Sequence, residues 1–210
     1  MEKVDILKPP DFQKTGVIKS MEQAFRQQNW TGSFHLWIIQ DDPEPSIVYQ
    51  IRSLNKSLMP NKFDVSAAGH YQAGETVKDG LREVKEELGK TYRFSKLISL
   101  GRKLFFGKDL KNHMRYSVVD VFLVLDNSSL ETYTLQKNEV YAVCTLPIHE
   151  LIKIFTKPKY SFTTKALTNS DKKISRKVTA DSFIYNWDNY QYKITLLAER
   201  FLKGEKNLVY

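Results

Sequence analysis

Hydrophobic and polar positions change period several times along this chain. Two short alternating runs, EKVDIL and KTGVIKS, flank KPPDFQ and predict two strands around a Pro-rich turn. SMEQAFRQQNW shifts to helical spacing, with Ser20 placed to cap it. SFHLWIIQ and SIVYQIRS predict strands separated by DDPEP, and FDVSAAG predicts a shorter strand ending on a glycine. FSKLISLGRKLFFG and RYSVVDVFLVL are long β-rich runs joined by KDLKNH. VYAVCTLP reads as the last strand and IHELIKIF as the helix after it. Residues 157–182 hold no sustained period and read as loop. WDNYQYKITLLAERFLK then places Ile194, Leu197, Ala198 and Phe201 on one face of a closing helix that stops near Gly204. Strands interleaved with a few helices predict an α/β (α+β) sandwich around a mixed sheet. The expected division is an N-terminal hairpin and helix over residues 1–30, a main domain over 31–156, and an extension over 157–210 belonging to the same structural unit.

One predicted helix conflicts with its own charges. Over residues 76–88, closed by Gly89, Leu81, Val84 and Leu88 form an apolar stripe. Glu83, Glu86 and Glu87 gather beside it. Like charges four residues apart cost about 0.2–0.5 kcal/mol per pair. Acids in the last turns also oppose the helix dipole by about 0.3–1 kcal/mol each. Lys85 and Lys90 relieve part of this. A divalent cation would remove the conflict, since hard oxygens so arranged suit Mg²⁺ or Mn²⁺. The competing reading is a solvated acidic face.

The rest of the composition narrows the classes. The 210 residues carry a formal net charge of +8, and residues 151–210 hold 12 Lys/Arg against 5 Asp/Glu. That basic end suits an anionic partner or a solvated surface. No apolar run approaches a membrane span, and MEKVDILKPP carries no export signal, so a cytoplasmic protein without a membrane partner is expected. The single cysteine, Cys144, lies in an apolar run and reads as a small core residue.

From Gly69 onward the order is Gly69, five residues, Glu75, six residues, then Arg82-Glu83, Val84, Lys85, Glu86-Glu87, Leu88 and Gly89. This resembles the Nudix box, G-x5-E-x7-R-E-U-x-E-E-x-G-U with U aliphatic. Two departures stand out: one residue is missing between Glu75 and Arg82, and Lys90 holds the last aliphatic position. The shortening spares the REVKEE face and unsettles Glu75. QIRSLNK, FDVSAAGH and NEVYAVCTLPIHEL look like flanking Nudix segments. With the N-terminal hairpin they are similar to the bacterial branch related to isopentenyl diphosphate isomerases.

The resemblance implies a Nudix-type α/β/α sandwich with a mixed β-sheet, and a Mg²⁺- or Mn²⁺-dependent hydrolase of a small molecule containing a diphosphate. Carried over by position, Glu83 and Glu87 are the main metal ligands and Glu86 a third or water-mediated one. A carbonyl of Ala68 or Gly69 completes the set, and Arg82 orients the glutamates. The general base comes from a box glutamate or from a later loop, where Glu139 is the candidate. Arg52 and His70 are candidate substrate contacts, with Glu75 beside them. A strand-edge charge and a structural histidine are the competing readings. His35 reads as structural. Trp37, Phe105 and Phe106 suit base stacking or the core. Substrate choice is expected in loops 107–113 and 157–182, and a homodimer fits the family.

Isomerase chemistry is not expected. VSAAGH has no acid/base cysteine, and WTGSF has no metal-binding histidine. A non-catalytic nucleotide- or sugar-sensing module is the alternative, although the box glutamates are all present. No RNA-recognition motif is visible, so nucleic acid is not an expected partner.

Overall fold

A computed structural model of the chain describes residues 2–184 and 188–210. In chain order the elements are β1 (Lys3–Lys8), β2 (Gln13–Ser20), α1 (Met21–Arg26), β3 (Trp30–Gln40), β4 (Ser46–Arg52), β5 (Phe63–Asp64), β6 (Ala67–His70) and α2 (Leu81–Leu88). They continue with β7 (Ile98–Lys108), β8 (Met114–Leu125), β9 (Val140–Pro147), α3 (Ile148–Thr156), β10 (Phe162–Thr168), β11 (Lys173–Val178) and α4 (Tyr190–Leu202).

β3 is the spine of the sheet. It runs parallel to β8 from Trp30↔Tyr116 to Ile39↔Leu125 and antiparallel to β4, β6 and β1. That one parallel pairing makes the sheet mixed. LWIIQ lacks alternation because the strand is covered on both sides. Phe34, Leu36 and Ile38 pack with Val84 and Leu88 of α2. Trp37 and Ile39 pack with Ile148, Leu151 and Ile154 of α3 and Ile194, Leu197 and Ala198 of α4. The result is helix on sheet on helix, the α+β sandwich expected. Among the described residues no helix is long and apolar enough to cross a membrane.

Ser20 caps α1 in a reciprocal box with Gln23. Other details differ from expectation. Residues 157–182 are not loop-rich. β10 and β11 form a hairpin from Phe162↔Val178 to Leu167↔Lys173, and β10 extends the sheet beside β9. Lysines, Thr163 and Ser175 fill the outward positions, and the half-buried Thr164 and Arg176 interrupt the inward ones, which hides the period of two. FDVSAAG is two short strands rather than one, and the helix at 76–88 begins as a 3₁₀ turn, Val77–Gly80, before α2. Trp187, at the start of the expected closing helix, lies outside the described residues.

The break in FDVSAAG has a purpose. β3 and β4 pair only at Ile38↔Val48, Ile39↔Ile47 and Gln40↔Ser46, and then diverge. β6 follows β3 down one side of the fork, and β5 follows β4 down the other. At the crotch, Ser66 Oγ accepts the Ile38 N–H at 2.9 Å and donates to the Val48 carbonyl. One fully buried hydroxyl therefore replaces the ladder bonds lost at the split. Ser66→Ala leaves both backbone groups unpaired and is expected to cost about 1–3 kcal/mol in urea unfolding; a change below about 0.5 kcal/mol would refute this role.

Candidate active site

The fork opens onto the acidic helix. Val84 and Leu88 are fully buried and fix the rotation of α2, and Gly89 ends it at φ +68 with its N–H on the Lys85 carbonyl. This turns Glu83 and Glu87 toward β6. Glu83 lies so close to the strand that a Cβ on Gly69 would sit 2.0 Å from its Cδ, so any side chain there would displace the carboxylate. Glu87, 7% exposed, accepts the Ala68 N–H at 3.1 Å and the Gln50 amide at 3.3 Å. The β3–β6 ladder pairs Tyr71 N–H with Gly32 O, so Gly69 falls in a hydrogen-bonded pair with Phe34. Ala68 then points its N–H and C=O away from β3, toward α2. Of the two candidate carbonyl donors, the one on Ala68 is free of the ladder.

Arg82 ties the acids together. Its Nε meets Glu75 at 2.9 Å, Nη2 meets Glu83 at 2.9 Å, and Nη1 meets Glu86 at 2.9 Å. The short spacer does not displace Glu75. The tight 3₁₀ turn brings its carboxylate to Arg82, and a second bond from the Gln72 N–H at 2.7 Å holds it. The three carboxylates of α2 do not form a single patch. Glu83 and Glu86 engage the guanidinium, while Glu87 turns inward. Mutual repulsion is thus partly relieved by Arg82, not left wholly to an ion.

Charge nevertheless remains frustrated. Burial pushes Glu83 up to about 7, against the pull of Arg82, and Glu86 and Glu2 add to the rise. Burial raises Glu87 well above the carboxylate range, opposed by the Ala68 N–H and reinforced by Glu83, Asp64 and Glu139. The cleft above them has a volume of about 710 Å³ and also takes in Glu2, Lys56 and Glu139. Among the described residues, no three His, Cys, Asp or Glu side chains already stand together as a metal cage. The donors themselves fit a hard cation: oxygen ligands, a strand carbonyl clear of its ladder, a glycine cradle, and buried carboxylates that resist ionisation without one. Arg82 takes only Oε1 of Glu83, which leaves Oε2 available to an ion while the guanidinium keeps the side chain in place.

The other expected site residues divide. Glu139 reaches the cleft, ion-paired with Lys56. His70 sits between the cleft and a second cavity of about 370 Å³, bonded to Ser33 at 2.9 Å and Arg115 at 3.0 Å; burial first, then Arg115, brings it down to about 3. Arg52 borders that second cavity but is committed to Asp64 at 2.7 Å and to the Leu58 carbonyl at 3.0 and 3.2 Å, where it pins the following loop. His35 bonds Tyr190, as a structural residue would, and Trp37 is core. Phe105 borders the second cavity and Phe106 packs on Trp30 instead. Cys144 is fully buried, and burial raises its thiol.

Neither 107–113 nor 157–182 borders either cavity; the rim comes instead from Lys56, Ser57, Leu58 and Met59. Met59 and Asn61 adopt positive φ in that segment, a tight turn that the polar run SLNKSLMPNK only hints at. Glu2 was also missed. It belongs to no motif and reaches the cleft because Ala73 donates to the Lys3 carbonyl at 2.8 Å, docking the N-terminal strand on the box loop.

An acidic helix laid against a forked mixed sheet, with Glu83 and Glu86 tied by one arginine and Glu83 set against one glycine, is the arrangement that the resemblance to the Nudix box implies. No family model matches the chain. It is 29% identical over 186 residues to an uncharacterized Nudix hydrolase of Clostridium acetobutylicum, covering 87% of this chain and 81% of that protein. It is 33% identical over 153 residues to Nudix hydrolase 3 of Arabidopsis thaliana, covering 69% of this chain but only 19% of that longer protein. The crystal structure of DR0079 from Deinococcus radiodurans shares the fold, with a TM-score of 0.56, 20% identity, and coverage of 75% of this chain and 90% of that one. Over most of its length the chain is thus similar in sequence to Nudix hydrolases.

The Glu83 shift sets a pH dependence. A folded value of about 7 against an ordinary 4.5 means that the folded state keeps a proton that the unfolded chain releases between those values. Stability of ion-free protein therefore falls as pH rises through that window, and the full cost is present by pH 8. Glu83→Gln is expected to stabilise chelator-treated protein by about 1–3 kcal/mol at pH 8 and by little at pH 4.5, read by urea unfolding. Equal stability at pH 8 would contradict the placement of Glu83.

Proposed function

We propose that the chain is a Mg²⁺- or Mn²⁺-dependent hydrolase that cleaves a diphosphate linkage in a nucleoside diphosphate derivative or a similar small molecule, working in the cytoplasm. The observation that carries this reading is the pairing of Glu83 and Glu87 against β6, beside the Ala68 carbonyl, in an open cleft. Two buried carboxylates with raised proton affinity are costly to keep unless the site is completed by positive charge.

A bound divalent ion would neutralise the diphosphate and sharpen a water as nucleophile. The chain's own residues supply the rest. Arg82 holds Glu83 and Glu86 in fixed orientation through Glu75. Lys56 brings a cation to the rim, where it can meet phosphate oxygens in place of Glu139. Release from Lys56 leaves Glu139 as a base at the edge of the cleft. Isomerase chemistry gains nothing from Cys144, which is buried in the core away from the cleft.

A sensor reading draws on one observation, that Arg82 already occupies Glu83 and Glu86. A phosphate-release screen over nucleotide sugars, dinucleotides and modified nucleotides separates the two. The hydrolase reading expects turnover that needs Mg²⁺ or Mn²⁺ and is abolished by chelator. Glu87→Gln and Gly69→Ala should each lower kcat on the order of 10²-fold or more with the fold intact by circular dichroism. Binding without product, or undiminished turnover in Glu87→Gln, would favour the sensor.

A further inference from the structure

The second cavity, next to the acidic cleft, contains a directed chain of hydrogen bonds. Arg115 Nη2 lies 3.0 Å from His70 Nε2, and His70 Nδ1 lies 2.9 Å from Ser33 Oγ. A guanidinium only donates, so Nε2 of His70 must be the accepting nitrogen. The ring then carries its one proton on Nδ1 and gives it to Ser33 Oγ. Among the described residues Ser33 makes no other side-chain bond, and it is 5% exposed at the cavity wall. Its hydroxyl proton is therefore left to point at whatever fills the cavity. The three residues are brought together by the sheet, since Ser33 and His70 are direct cross-strand partners of β3 and β6 and Arg115 is the second residue of β8, which is parallel to β3.

The opposite wall is complementary. Gln50 gives its amide N–H to Glu87, which leaves its amide oxygen to accept. Asp64 and Arg52 satisfy each other, so this wall adds no net charge. Ser117, Phe105, His35 and Val119 also line the cavity, and Lys56 and Glu139, paired with each other, stand at its border. At about 370 Å³ the space suits one ring and not a long chain. It shares Lys56, Ala68, Gly69, His70, Glu87 and Glu139 with the acidic cleft, so a molecule with its diphosphate in the cleft has its attached group here.

We propose that this cavity selects an uncharged ring bearing an acceptor oxygen, a sugar or a nucleobase, and that Ser33 is the specificity-determining donor, with His70 and Arg115 as positioning residues. The proposal rests on the diphosphate occupying the glutamate cleft. A hydrocarbon group would strand the Ser33 proton and the Gln50 oxygen without partners and would be rejected.

Two measurements test this. The first is titration calorimetry on the full chain with methylene-bridged, non-hydrolysable diphosphates carrying a sugar, a nucleoside or a saturated hydrocarbon ring. One oxygenated analogue should bind about 10-fold or more tighter than the hydrocarbon, which also tells sugar from base. Ser33→Ala should narrow that gap to under about threefold without weakening the hydrocarbon analogue. Equal binding, no binding of either oxygenated analogue, or a gap that survives in Ser33→Ala overturns the proposal. The second is nitrogen-15 NMR of the histidine ring, assigned by its loss in His70→Asn. It should show the Nδ1–H tautomer, kept in Arg115→Lys and lost in Arg115→Met. An Nε2–H tautomer in the wild-type protein overturns the chain of donors. If the binding preference holds but no diphosphate is ever cleaved, the hydrolase reading fails and the selectivity stands.

Discussion

Three carboxylates on one guanidinium organise this protein's functional end. Arg82 is the only cation in direct contact with Glu83 and Glu86 among the described residues, and it draws Glu75 back from the preceding turn. Without it, the last turns of α2 would carry like charges against an unfavourable helix dipole. With it, the helix is stable enough to be pressed against β6, and Glu87 is forced into a buried position on the Ala68 N–H. The same contact fixes the orientation of Glu83 through Oε1 and leaves its Oε2 unengaged by the guanidinium.

The fork between β3 and β4 is the structural counterpart of that knot. A continuous ladder would close the site. Splitting it after three residue pairs lets β6 turn its outer edge toward α2, and Ser66 satisfies the backbone groups exposed by the split. The apolar clusters on the two faces hold the split open, since Val84 and Leu88 lock α2 on one side and α3 with α4 cover the other. Stability and chemistry thus meet at a few residues, where backbone pairing is given up and side chains must replace it.

Much of this was legible in the amino-acid order. The strands, Ser20 as a cap, the apolar stripe of α2 and the acidic face beside it followed from periodicity and charge. Residues 157–182 were opaque because polar residues, Thr164 and Arg176, stand on the inward side of an edge hairpin as well as the outward one and leave little amphipathic contrast. Glu2 and the loop carrying Lys56 were invisible for a different reason. Their roles come from long-range docking, and nothing local marks them. The spacing around Glu75 misled in the other direction, because a 3₁₀ turn absorbs one residue without moving the carboxylate from its partner.

The central claim is that Glu83 and Glu87 close on a divalent cation beside the Ala68 carbonyl. Crystals grown with Mn²⁺ and measured for anomalous scattering test it most directly. The account predicts one strong peak bounded by those three groups. A peak elsewhere, or none while Glu83 and Glu86 both stay on Arg82, would contradict it.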